Sequence, residues 1–478
     1  MHGSISRVVC GALAVVPLTA PDVVAAARPN VVVVMIDDLG WTDLACYGSD
    51  FHETPHLDRL ARDGMRFTSA YAAAAVCTPT RVALMTGKHP ARLGMTIWRE
   101  AAARGPNPDE KLLPPRCEPN LPREEITLAE LLRGAGYQTF HVGKWHLGDA
   151  RHYPEVHGFD VNIGGTLWGA PATYFWPYYH AHRGPANGRE LRYVPGLDKG
   201  GSDEYLTDRL TDQAIGLLQT VGDRPFFLHL AFHSVHTPIE GKPDLVARYE
   251  QKLADHVERQ HHYPAYAAMV HSVDENIGRL LARLDELQFA DNTLVIVTSD
   301  NGGLVDRTHW GIATDNSPLR SGKGSLYEGG VRVPLIVRWP GIAPPASVCA
   351  AAVVTHDLFA TVVEAAGVAD PVSRDGLSLG ELLRAPRKEL PPRALFWHYP
   401  HYYLNTTPIS ALRHGPHKLL HYYEDDRVEL YDLQADLGER NNLASTESER
   451  TRELRAMLSE WITQAGAELP GPNPARTE

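Results

Sequence analysis

Four apolar runs along the chain end abruptly in polar residues able to do chemistry. Val31-Val32-Val33-Val34-Met35-Ile36 gives way to Asp37-Asp38, and Thr139 to Val142 runs into Gly143-Lys144-Trp145-His146. Phe226 to Phe232 leads into His233-Ser234-Val235-His236, and Leu294 to Thr298 into Ser299-Asp300-Asn301-Gly302-Gly303. Runs this apolar on both faces, the first of them largely β-branched, predict central parallel strands. Helical periodicity over 57–64, 127–134, 206–221 and 266–287 lies between them. Strands alternating with helices predict an α/β fold, a large central mostly parallel sheet sandwiched by helices. Ligands bind beyond the carboxyl ends of the strands in such sheets. The four polar clusters are therefore expected to converge.

After about residue 390 the pattern changes. Ala394 to Tyr403, Ser410 to Arg413, Lys418 to Tyr423 and Val428 to Tyr431 are short, aromatic and separated by turn residues. They predict a small C-terminal antiparallel sheet, followed by a helix over Glu447 to Ala465. The Pro-rich piece from Ala385 to Pro392 reads as the linker, which divides the chain into a large domain over 28–390 and a subdomain over 391–478. At the front, Arg7, the mostly apolar Val8 to Ala20 and the small-residue stretch Ala25-Ala26-Ala27 predict a signal peptide over 1–27 and hence an exported, periplasmic or secreted protein. Pro17, Pro21 and Asp22 interrupt that stretch, so no permanent membrane span is expected.

Composition narrows the partners. A formal net charge of −12 argues against nucleic acid, because phosphate attraction needs a basic face. It leaves room for a small anionic substrate held by a local basic cluster. Five cysteines, at 10, 46, 77, 117 and 349, are too few and too scattered for a disulfide framework. One bridge among Cys46, Cys117 and Cys349 stays open.

The candidate chemistry starts at Cys77-Thr78-Pro79-Thr80-Arg81. Pro79 suits a first helical turn, Val82 to Met85 can continue it, and Gly87 can close it. Cys77 would stand at the positive end of a helix dipole, one turn from Arg81, where a thiolate or another anion is stabilised; a lone Cys is otherwise a core residue. Asp37, Asp38, Asp300 and Asn301 form an all-oxygen set. Adjacent carboxylates repel unless a cation lies between them, and hard oxygens favour Ca²⁺ or Mg²⁺ over zinc. Lys144, His146, His236 and Lys323 add positive or proton-transferring groups, Lys323 within Ser321-Gly322-Lys323-Gly324-Ser325, where glycines let an anion approach. With 24 histidines in the chain most must be bland, and His141, His229 and His233 are placed there.

The motifs Cys77-x-Pro79-x-Arg81, Asp37-Asp38, Gly143-Lys144-Trp145-His146-Leu147-Gly148, Asp300-Asn301-Gly302-Gly303 and Gly322-Lys323-Gly324 resemble the type I, formylglycine-dependent sulfatases of the alkaline phosphatase superfamily. The resemblance runs in order from about Arg28 to about Leu443 and takes in Pro238, Glu328 to Pro334, Val428 to Leu433 and Asn441-Asn442-Leu443. It implies that a maturation enzyme converts Cys77 to Cα-formylglycine, whose hydrate is the nucleophile. Asp37, Asp38, Asp300 and Asn301, with an oxygen of residue 77, would hold one divalent cation, Ca²⁺ before Mg²⁺. Arg81 would bind the hydrate, Lys144 and Lys323 the sulfate oxygens. Asp300 would accept the first proton, His236 with Lys323 would protonate the departing alcohol, and His146 would take the proton of the second hydroxyl.

Substrate is less legible. Export and the aromatic group Trp168, Tyr174, Trp176, Tyr178 and Tyr179 point to a sulfated carbohydrate stacked on a ring wall, although those aromatics can equally be loop packing. The alternatives are a phosphonate or phosphate ester hydrolase of the same superfamily, and a silent carbohydrate-binding protein in which Cys77 stays a thiol.

Overall fold

Asn30–Ile36 (β1) is buried along its whole length, and its side chains alternate between two cores. Val32, Val34 and Ile36 face Leu210, Tyr266 and Val273 on one side. Val31, Val33 and Met35 face Leu84, Leu132 and Leu358 on the other. A strand with period-two burial against two helical layers must be a central one. The computed structural model describes residues 28–104, 107, 109–183, 189–254, 260–306 and 313–476, with Met1 and Gly3; the rest of the expected signal peptide, 1–27, lies outside them.

The other strands of the large sheet are Met65–Phe67 (β2), Gln138–Gly143 (β3), Val161–Ile163 (β4), Phe226–Ala231 (β5), Thr293–Ser299 (β6), Leu335–Arg338 (β7) and Ser347–Cys349 (β8). Their order is β8-β2-β7-β6-β1-β5-β3-β4. The five strands from β6 to β4 are mutually parallel, as the apolar runs predict. The short β7 is antiparallel to both its neighbours and makes the sheet mixed. Helices Leu206–Leu218 and Pro264–Glu286 cover one face, and Cys77–Thr86, Leu128–Gly134 and Thr355–Ala365 the other.

Register positions the site. Ile36 lies opposite Ser299, Met35 opposite Ala231, and Gly143 opposite Ala231, so four strands end at one level. Asp37, Lys144, the 232–236 turn and Asp300 therefore leave the sheet side by side. Gly143, at φ 105°, makes the turn possible: a Cβ there would stand 1.9 Å from the carbonyl oxygen of Ala231.

Ala394–Tyr399, Ile409–His414, His417–Tyr422 and Val428–Asp432 form the expected antiparallel sheet in sequence order, backed by the helix Ser448–Ala465. Its other face packs on the segments leading into the helix that starts at Cys77, with Trp397 and Tyr399 against Tyr71, Ala75 and Val76. A buried charge network crosses the same seam: Lys418 Nζ lies 2.8 Å from Glu328 and 3.2 Å from Glu439, and Arg332 lies 3.0 Å from Glu328. These pairs fix Glu328–Val331, the segment directly behind the Lys323 loop.

Two points that the sequence left open are answered by the structure. Cys46, Cys77, Cys117 and Cys349 are all free, so no bridge joins Cys46, Cys117 and Cys349. Among the aromatics, Tyr174 and Tyr178 are core residues, Trp176 packs edge-on against Tyr178 at 5.6 Å, and Tyr179 points to solvent at 52% exposure. Tyr174 spends its hydroxyl on the carbonyls of His233 and His236. Tyr174, Trp176 and Tyr178 are therefore loop packing and not a wall, while the Trp168 ring lies 5.3 Å from the Arg192 guanidinium. No helix among the described residues is long and apolar enough to cross a membrane.

Candidate active site

The helix Cys77–Thr86 begins at Cys77, after an extended Val76, and ends on Gly87 in the left-handed region. All ten of its residues are buried. Thr78 Oγ1 donates to the His146 carbonyl at 3.0 Å, tying the helix start to the Lys144–His146 turn. The Lys323 loop closes the other side, with the Gly324 amide on the Ala75 carbonyl at 2.8 Å. Asn405 donates to the Lys323 carbonyl at 3.0 Å. Burial pushes the Cys77 thiol up to about 12, although Lys144 and Lys323 pull it down. The thiolate expected from the helix end therefore loses to desolvation.

Around Cys77 three buried cations meet three buried carboxylates. Lys144 Nζ lies 2.5 Å from Asp37, Lys323 Nζ 2.8 Å from Asp38, and Arg81 2.7 and 2.9 Å from Asp300 Oδ2. Arg81 also donates to the Lys144 carbonyl at 3.0 Å. Asn301 Nδ2 donates to Asp38 Oδ1 at 2.7 Å, and the Asp38 amide, on a residue at φ 62°, donates to Asp300 Oδ1 at 3.2 Å. Burial, and then the charge of Asp300, raise the Asp37 carboxyl well above its usual range. Against the same burial, Lys323 and His236 hold Asp38 below it, and Arg81 followed by Lys144 holds Asp300 below it as well.

One oxygen each of Asp37, Asp38 and Asp300 and the Cys77 sulfur all lie within 4.8 Å of one another. Asp37 Oδ1 and Asn301 Oδ1 are buried with no hydrogen-bond donor. Orphaned buried oxygens are costly, and a cation satisfies them where no donor does. The donor set is hard oxygen, so these residues fit Ca²⁺ or Mg²⁺.

The two histidines are held by different partners. His236 Nδ1 donates to the Thr237 carbonyl at 2.8 Å, which leaves Nε2 facing Asp38 Oδ2 at 3.7 Å. Burial and then Lys323 pull His236 down to about 3. A nitrogen of His236 also lies within 4.8 Å of the Cys77 sulfur. Cys77, His146, His236 and Lys323 line one cavity of about 440 Å³.

Residues 29–368 match the sulfatase family model, and residues 322–468 match the model for the C-terminal part of N-sulphoglucosamine sulphohydrolase. The chain belongs to the sulfatase family. A sulfatase from Formosa agariphila is 33% identical over 97% of this chain and 94% of its own. The steryl-sulfatase of Mus musculus is 33% identical over 92% and 84%, and the N-acetylgalactosamine-6-sulfatase of Canis lupus familiaris 34% over 73% and 65%. Among solved structures, Ps i-CgsB in complex with k-i-k-neocarrahexaose superposes with a TM-score of 0.74 at 27% identity, covering 91% of this chain and 92% of that one. The phosphonate monoester hydrolase of Agrobacterium radiobacter shares the fold, with a TM-score of 0.63 at 20% identity over 94% and 98%. The chain is thus a sulfatase, a sulfate ester hydrolase with the α/β fold of the alkaline phosphatase superfamily.

The sulfatase pocket also holds residues that the pattern of the chain did not mark. Glu100, on the helix Arg99–Arg104, takes a 2.6 Å hydrogen bond from His146 Nε2 and a 2.9 Å bond from the Gly169 amide. Nε2 thus carries the proton, and His146 Nδ1, buried without a partner, keeps its lone pair. Burial lowers His146 to about 4, while Glu100 opposes the shift and is itself held well below its usual range. Trp98 and Tyr403, in T-shaped contact at 5.5 Å, form the aromatic edge of the pocket. Tyr403 packs flush on Gly324, where a Cβ would come within 2.0 Å of its ring. Nothing in the sequence ties Glu100 to His146, which lies 46 positions away.

Proposed function

We propose that this sulfatase hydrolyses the sulfate ester of a sulfated carbohydrate, using Cα-formylglycine formed from Cys77 by a maturation enzyme, with Ca²⁺ as its metal. The observation that carries the reading is the set of oxygens around Cys77, with Asp37 Oδ1 and Asn301 Oδ1 lacking donors. Asp37, Asp38, Asp300, Asn301 and an oxygen of residue 77 would hold the cation, which when bound draws charge from the sulfuryl oxygens. A thiol that stays protonated and fully buried is a poor nucleophile; an aldehyde hydrate has two hydroxyls, one to attack and one to expel sulfate.

The chain's own residues supply the rest. Lys144 and Lys323, each fixed by a carboxylate, stabilise the sulfuryl oxygens. Asp300, with an oxygen within 4.8 Å of the residue 77 side chain, accepts the first proton. Arg81 makes it a weak base, so the hydroxyl it serves has to be acidified by the surrounding positive charge. His236 Nε2 is unprotonated in the free site, so the leaving alcohol draws its proton from Lys323, directly or through His236. His146 Nδ1 takes the proton of the second hydroxyl, in the tautomer that Glu100 sets. Glu100→Gln is expected to lower kcat by between about tenfold and a hundredfold, less than loss of the base itself. The acidic limb of the pH profile should move to lower pH, because a His146 without the carboxylate is less basic; an unshifted limb counts against the dyad.

Support for a carbohydrate comes from the rim aromatics Trp98 and Tyr403 and from a relative named N-acetylgalactosamine-6-sulfatase. Export and the division at about 390 complete the proposal. The test compares 4-nitrophenyl sulfate with 4-nitrophenyl phosphate, and follows sulfate release from sulfated polysaccharides. The aryl sulfate should be favoured by at least about a hundredfold. Preference for phosphate would overturn the chemistry, and aryl sulfate turnover without any polysaccharide desulfation would overturn the substrate class.

A further inference from the structure

The cations of the active-site pocket fall into two classes. Lys144, Lys323 and Arg81 each lie against a buried carboxylate, at 2.5, 2.8 and 2.7 Å. Arg104 and Arg192 line the same cavity of about 440 Å³. Among the described residues neither side chain forms an ion pair or a hydrogen bond. Arg192 lies 5.3 Å over the ring of Trp168, a stacking contact that orients the guanidinium without using its donors, and its Nε is buried with no partner. The described lining holds one carboxylate, Glu100, and both of its oxygens are taken, by His146 and by Gly169. The rim is thus a positive patch with spare donors on a chain of net charge −12.

A second cavity, of about 740 Å³, borders that rim and shares Trp98 and Arg104 with the first. Arg104 therefore stands at the junction, where a substrate longer than one ring would cross the Trp98 edge.

We infer that Arg104 and Arg192 form a subsite for a second anionic group of the substrate, a sulfate or a carboxylate displaced from the ester being cleaved. This rests on the carbohydrate sulfatase reading. Two guanidiniums with no ion-pair or hydrogen-bond partner among the described residues can recognise planar or tetrahedral oxyanions through paired N–H donors, and such contacts are charge-assisted. The preferred substrate is then a polyanionic oligosaccharide and not an isolated monosulfated ring.

The test measures binding to the full chain by calorimetry for three probes. They are a monosulfated disaccharide, its disulfated counterpart, and a monosulfated disaccharide bearing a uronate in place of the second sulfate. Turnover of 4-nitrophenyl sulfate is followed in parallel. At least one two-anion probe should bind between about tenfold and a hundredfold more tightly than the monosulfated one. Which of them wins identifies the second group as sulfate or carboxylate. Arg104→Ala and Arg192→Ala should each remove most of that advantage, a loss several-fold larger than their effect on 4-nitrophenyl sulfate. Arg104 is exposed at the end of its helix, so its truncation reads the subsite and not the fold, and Arg192→Lys should recover only part of the advantage. Equal binding of all three probes, or an advantage that survives both truncations, overturns the subsite. Failure to hydrolyse 4-nitrophenyl sulfate counts against the sulfatase reading and leaves the binding comparison standing.

Discussion

Cys77→Ala should lower sulfate release by about 10⁴-fold or more, as expected when the nucleophile itself is lost. The melting temperature should barely move, since the change removes only the end of one short side chain from a helix start otherwise held by Thr78, Thr80 and the Lys323 loop. Cys77→Ser separates two halves of the mechanism. A single hydroxyl can attack sulfur, but it has no second hydroxyl for His146 to deprotonate. The serine variant should therefore stop after one event and accumulate a sulfated residue 77, seen as a stable mass increase. Multiple turnover by either variant would show that residue 77 is not the nucleophile.

Asp300→Asn should have the second largest effect, because Asp300 serves two partners at once. It holds Arg81 at 2.7 Å in a fully buried pair and lends an oxygen to the cluster around Cys77. Removing its charge leaves the buried guanidinium with only the more distant Asp37, at 3.7 Å, a loss of up to about 3–5 kcal/mol. Activity should fall by about 10³-fold, the scale of losing a preorganised electrostatic contact. The native protein should lose activity on chelation, regain it with added Ca²⁺, and melt at a higher temperature as Ca²⁺ rises, by mass action. The asparagine variant should show a much weaker response of its melting temperature to Ca²⁺. An undiminished response would mean that Asp300 does not hold the cation.

The sheet was legible because its central strands are buried on both faces, so apolar runs mark them and polar residues mark where they stop. Asp37, Lys144 and Asp300 could be brought together on paper for the same reason: parallel strands that end at one level must present them side by side. What escaped depends on burial and on loops. The dipole at Cys77 suggests a stabilised anion, but only the packed structure shows that desolvation outweighs it. Tyr174 and Tyr178 look like a binding wall until their burial is known. Glu100 and Arg104 sit on a short helix, Arg192 ends the short strand Arg189–Arg192, and Tyr403 lies in the loop between two strands of the C-terminal sheet. No periodicity encodes their approach to the pocket. The antiparallel β7 was equally hidden, since four residues carry too little pattern to set a direction.

Cysteine is what the chain encodes at position 77, and the account requires an aldehyde there. Mass measurement of the tryptic peptide Phe67 to Arg81, taken from protein with measured sulfate release, tests this most directly. The account predicts that the peptide carries the mass of Cα-formylglycine, in a proportion that tracks specific activity across preparations. A peptide that is wholly thiol in fully active protein would contradict it.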